Sequence, residues 1–105
     1  MPLEFRQEYF VLRVDGDVLE IFTRGAFSHR VPLAWLAVRV QPSIKGRLVV
    51  QINSARDDLP LYEVLPKAKV TPGSAVDLVI STEDEPIYRQ FFTQVAQLCG
   101  RPVVP

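Results

Sequence analysis

At 105 residues, with 48% hydrophobic and 23% charged residues, the chain has the size and composition of one globular domain, expected to span 1–105, and leaves no room for a second core. Twelve basic residues balance 12 acidic ones, which argues against the basic face that bulk binding to nucleic acid needs, although nine of the 12 are arginines and a local patch is compatible with zero net charge. The lone Cys99 rules out an intrachain disulfide, no apolar run approaches the roughly 18 to 20 residues of a transmembrane helix, and the polar N-terminus is no secretion signal, so a soluble cytoplasmic protein is expected.

The first two thirds of the chain read as β. From Phe5 to Val14, Phe10, Leu12 and Val14 fall on one face and Tyr9, Val11 and Arg13 on the other. Asp15-Gly16-Asp17 separates this run from Val18–Thr23, and Asp-Gly between two such runs is a hairpin signal because glycine takes a positive φ without a Cβ clash. A second turn at Arg24–Phe27 leads into Ser28–Leu33, where Pro32 marks an edge strand or a bulge. Ala34–Gln41 alternates, with Leu36, Val38 and Val40 opposite Trp35, Ala37 and Arg39. After a hairpin loop at Pro42–Gly46, Arg47–Asn53 alternates again. Leu59–Leu65 is a short apolar run broken by Pro60, a second edge signal; Pro66–Ser74 is loop-like, and Ala75–Ser81 is the last strand.

The period then becomes helical. Thr82-Glu83-Asp84-Glu85 fits a capping box whose acidic residues suit the positive end of the helix dipole, and Pro86 fits the first turn. Ile87, Phe91, Val95 and Leu98 make one apolar stripe, which Tyr88, Phe92, Ala96 and Cys99 extend. Gly100 and Pro102 stop the helix. The expected fold is therefore mostly β: a barrel or orthogonal sandwich of about seven antiparallel strands, capped by one C-terminal amphipathic helix that buries its apolar face.

Seven strands and a capped helix resemble the pleckstrin-homology superfold, in its compact bacterial form. Val18–Gly25 followed by His29–Val40 resembles the region from strand 2 to strand 4 of such domains, with Val31-Pro32-Leu33 at the step before the next strand. Ile80–Phe92 resembles the join between the last strand and the helix. The resemblance covers nearly the whole chain and rests on a pattern of structure with no invariant signature. Phosphoinositide-binding members carry several basic residues in the loop between strands 1 and 2; here Arg13–Asp17 holds two acids and one base. Phosphoinositide binding is therefore not expected, and fold alone does not carry function.

No catalytic or metal constellation stands out, and no enzyme activity, cofactor or metal is expected. His29 has no base or nucleophile placed beside it, and Cys99 reads as a thiol on the helix's apolar stripe. Neither Glu83–Glu85 nor Asp15/Asp17 supplies a calcium-type ligand set, and the glycines fit turns better than any phosphate loop. Two surfaces remain. If Leu36, Val38 and Val40 face the core, then Trp35, Ala37 and Arg39 face outward, with Leu33 at their edge, as a protein contact; the other reading puts Trp35 in the core. The second surface is a basic patch at Arg24, Phe27, His29 and Arg30, approached by Lys45, Arg47 and Arg56. The expectation is a non-enzymatic interaction module that binds protein or itself through exposed strand faces or edges. The alternative is peripheral binding of anionic lipid or another anionic ligand through the arginine cluster.

Overall fold

The alternation of Phe10, Leu12 and Val14 with Arg13 and Asp15 separates buried from exposed side chains in a computed structural model of the protein, which describes residues 3–24, 27–43, 46–54, 60–65 and 76–103. Two four-stranded sheets are present. The first is an antiparallel meander of β1 (Glu4–Arg6), β2 (Phe10–Asp15), β3 (Val18–Thr23) and β4 (Phe27–Pro32). The second is ordered β7-β5-β6-β8, from β5 (Leu36–Pro42), β6 (Arg47–Ser54), β7 (Tyr62–Val64) and β8 (Val76–Ser81). Among the described residues the sheets do not close into a barrel. The helix α1 (Glu85–Cys99) follows a single 3-10 turn at Thr82–Asp84.

The described residues hold eight strands where seven were expected, because the first run is two strands. It folds back at Gln7–Tyr9, with the Gln7 amide donating to the Phe10 carbonyl, and pairs Phe5 with Leu12. Gly16, at φ 62°, makes the tight β2–β3 turn that Asp-Gly foretells. The two proline signals mark sheet edges: Pro32 ends β4 and Pro60 precedes β7, each strand outermost among the described residues. β7 pairs parallel to β5, Val38 facing Tyr62, an arrangement that local alternation cannot reveal because both partners are set by a crossover.

One core draws on both sheets and the helix: Leu12, Leu19 and Ile21 from the first, Val38, Val40, Val50 and Ile52 from the second, and Tyr88, Phe91, Phe92 and Val95 from α1. Aromatic rings tie the helix in on both sides. Phe5 lies 4.7 Å from Tyr88 and 5.6 Å from Phe91, while Phe92 stacks on Tyr62 at 5.5 Å between ring centroids. The buried face of α1 is rotated from the expected stripe, so Ile87 and Leu98 stand in solvent, Leu98 at 66% exposure. No capping box forms. Asp84 is the N-cap, without a side-chain bond, because the carboxylate of Glu85 is turned inward to Tyr62 and sideways to Arg89. Gly100, left-handed at φ 69°, ends the helix as expected.

Candidate interaction surface

The four residues nominated around Trp35 do not form a surface. Leu36, Val38 and Val40 do face the core, but Ala37 is 2% exposed and Arg39 9%, and Leu33 is buried as well. β5 lies between β6 and β7, and its second face is buried as well, with Gln41, Gln51 and Asn53 beside Ala37 and Arg39. Ala37 sits opposite Asn53, and Arg39 lies between Gln51 and Glu63. The Arg39 guanidinium donates to the carbonyls of Val38 and Pro60 and pairs with Glu63 at 3.7 Å. Burial pushes its pKa down; Glu63 opposes that shift and Arg101 adds to it. Trp35 is exposed at 54%, but it belongs to the turn before β5, with its amide bonded to the Pro32 carbonyl. Period-two alternation does not reach a turn residue.

The basic cluster is also divided. His29 is half-buried opposite Ile21 on the inner side of β4, while Arg30 projects from the outer side and lies 3.6 Å from Glu20. Arg30 ends a cross-strand row, Glu4–Arg13–Glu20–Arg30, of alternating charge over all four strands, and opposite charges placed directly across a sheet attract. Arg24 and Arg47 lie elsewhere, on either side of Tyr9: Arg24 lines one shallow depression with it and Arg47 another. Lys45, Arg56 and the side chain of Phe27 lie outside the described residues.

The end of the first sheet around Tyr9 is where exposed aromatic area and arginine meet. Tyr9 and Phe22 are both exposed, Phe22 sits directly across from Val11, and Val11 from Arg6. The Arg24 amide donates to the Tyr9 carbonyl, and its guanidinium stands 6.0 Å from the Tyr9 ring centroid, the outer limit of a cation–π contact. Together they line a hollow of about 260 Å³. Glu8 lines this hollow and also its neighbour of about 310 Å³, which adds Arg47, Val79 and Asp84. Tyr9 and Val11 were legible as sharing the face of the run opposite Phe10, Leu12 and Val14; the fold-back at Gln7 carries no turn signal.

Other polar groups serve the fold. The Tyr62 hydroxyl donates to Glu85 at 2.9 Å, and Arg89 holds both oxygens of the same carboxylate. Arg101, just past the helix stop, donates to the Leu33 and Leu36 carbonyls and fixes the turn that carries Trp35. Gln51 and Asn53, on the covered face of β6, each keep a buried side-chain oxygen without a donor among the described residues. A groove of about 860 Å³ runs between the β2–β3 turn and the C-terminal half of α1, with Leu3, Val14 and Leu98 as its apolar lining and Arg13 and Asp15 at its side. Among the described residues no three His, Cys, Asp or Glu side chains gather closely enough to hold a metal, and no helix is long and apolar enough to cross a membrane. No protein-family model, curated protein or solved structure matches the chain.

Proposed function

We propose that the protein is a non-enzymatic interaction module of pleckstrin-homology-like architecture that binds a protein partner across the Tyr9 end of its first sheet. Setting aside the parallel β7, seven antiparallel strands precede the terminal helix, which supports the architectural part. The observation that carries the binding surface is the adjacency of exposed Tyr9 and Phe22 to Arg24 and Arg6 beside a hollow. Tyrosine and arginine are the residue types most enriched where interfaces concentrate their affinity, and an aromatic ring left in water on a sheet face gains free energy when a partner covers it.

A photoreactive phenylalanine analogue at position 22, activated in the cells that make the protein, tests this directly. The expected result is a discrete adduct of defined mass, lost when Arg24→Glu is added. Absence of any adduct on a folded protein would sink the reading. A second reading, peripheral binding of an anionic surface, is favoured by Arg24 and Arg47 flanking Tyr9, although Glu8 and Asp84 in the same hollow as Arg47 weaken the local potential. Vesicles of anionic lipid separate the two: binding that falls with added salt and with Arg47→Glu supports the membrane.

A further inference from the structure

Among the described residues four strands stand at sheet edges: β1 and β4 in the first sheet, β7 and β8 in the second. An edge strand turns backbone N–H and C=O groups outward, and proteins blunt such edges by brevity, charge or proline. β1 and β7 are three residues each. β4 ends in Pro32 and carries exposed Arg30. β8 is six residues long and holds no proline, and its one charge, Asp77, lies near its start. Val79, in its second half, is 58% exposed.

The ladder shows which backbone groups of β8 are open. The Thr82 amide donates to the Gly46 carbonyl, one step beyond the pair Ser81 and Arg47. Bonded and non-bonded pairs alternate along antiparallel strands. Leu78 and Ile80 therefore exchange bonds with Val50 and Leu48, while Val79 points its N–H and C=O away from β6. Among the described residues no other backbone group bonds to Val79. The hollow of about 310 Å³ lies along this stretch, with residues 79–81 on one side, residues 7–10 on the other, and Arg47 and Asp84 in its walls.

The occupant that such an edge selects is a polypeptide backbone. An outward N–H and C=O on one strand residue match an extended chain about 4.8 Å away. A phosphate accepts hydrogen bonds without donating, so it would leave the Val79 carbonyl unmatched. A second copy of β8 would bring its whole sheet against the wall at residues 7–10, whereas a single extended segment fits between that wall and the edge. Side chains of an added strand alternate, one set covering Val79 and the other entering the hollow beside Tyr9. Glu8 and Asp84 outnumber Arg47 in that hollow, so the complementary segment is apolar with a basic residue.

The geometry points to β8 as a strand-addition site, where an extended apolar and basic segment of a partner protein pairs with Val79 and lies in the hollow beside Tyr9. This rests on the reading that the Tyr9 end of the molecule binds protein, and adds how the partner is held.

Amide hydrogen exchange on the full chain gives the first check: Val79 should exchange rapidly while Leu78 and Ile80 are protected. A protected Val79 in the free chain overturns the proposal, because the edge is then already covered. A display library of short linear peptides, selected on the immobilised full chain, supplies the probe. Selected peptides should alternate apolar with polar positions, include Lys or Arg, and slow exchange at Val79. N-methylation of the peptide residue that pairs with Val79 should weaken binding about five- to tenfold, the effect of losing one hydrogen bond. Val79→Pro should do the same, since it removes an outward N–H and no ladder bond, whereas Val79→Thr should bind as the parent does. If Val79→Pro does not fold, the N-methylated peptide decides alone. A library that yields no binder, or binders indifferent to N-methylation, overturns the proposal. An adduct at position 22 that persists in Val79→Pro keeps the Tyr9 surface and removes strand addition. A peptide that still protects Val79 in the variant Phe22→Ser, Arg24→Glu, with no adduct at position 22, does the reverse.

Discussion

Trp35 shows how an exposed side chain can be inferred for a reason the fold does not share. Alternation with Leu36, Val38 and Val40 puts it outward, yet the same alternation puts Ala37 and Arg39 outward, and both are covered. The difference is that Trp35 lies in a turn held by its own amide and by the Arg101 guanidinium beneath it. About half of its surface is covered, on the order of 100 Å² for a tryptophan, so Trp35→Ala should cost about 1–2 kcal/mol, less than truncating a fully buried ring. Because Trp35 is the sole tryptophan, its fluorescence reports the turn alone: emission should be red-shifted and open to a small neutral quencher in the folded protein. A drop of several kcal/mol, as truncating a buried tryptophan produces, would place the ring in the core. No local pattern marks Arg101 as a guanidinium that reaches carbonyls 65 and 68 residues away.

The elements with a strong period were legible and those defined by a distant partner were not. β3, β4, β5, β6 and β8 follow the expected runs within a residue or two, β2 ends within one residue of its run, and α1 ends at the glycine that stops it. The split of β1 from β2, the parallel pairing of β7 and the rotation of the helix face all depend on what lies opposite. Tyr88, Phe92 and Val95 are fully buried, whereas Ile87 and Leu98, equally apolar in sequence, are not. The helix is thus anchored by its aromatic side, and Phe92, stacked on Tyr62 and edge-on to Phe91, is its central contact. Phe92→Ala should lower the unfolding free energy by about 3–5 kcal/mol, the usual result of emptying a packed aromatic site, read as a fall in the urea midpoint at unchanged slope. Leu98→Ala, by contrast, should leave the monomer's midpoint unmoved. Equal losses at the two positions would mean that the helix docks by the other face.

Across the whole molecule, two phenols join the helix to the sheets at separate places. Tyr62 reaches up from β7 to Glu85, and Tyr88 reaches from the helix to the Gln7 side chain at 3.0 Å in the β1–β2 connection. Both are fully buried. Burial drives the pKa of each well above its ordinary value of about 10; at Tyr62 the hydrogen bond to the Glu85 carboxylate and its charge add to this, and at Tyr88 the charge of Asp84 does. The sign follows from proton counting. Below about pH 10 both folded and unfolded chains hold these protons, so the full stabilisation is present. As the pH rises past that value the unfolded chain releases them while the folded one keeps them, and stability falls by up to ~1.4 kcal/mol per pH unit for each phenol. Urea midpoints should therefore be flat with respect to these groups near neutrality and decline steeply in strong alkali, with tyrosinate absorbance from Tyr62 and Tyr88 emerging only as the domain unfolds. The double variant Tyr62→Phe, Tyr88→Phe separates their contribution from that of lysines and Cys99: it should begin less stable at neutral pH, having lost two buried hydrogen bonds, and then lose less on going to high pH. A parent and a double variant with parallel alkaline profiles would show that neither phenol is held neutral by the fold, and that the helix is not seated on the two sheets through them.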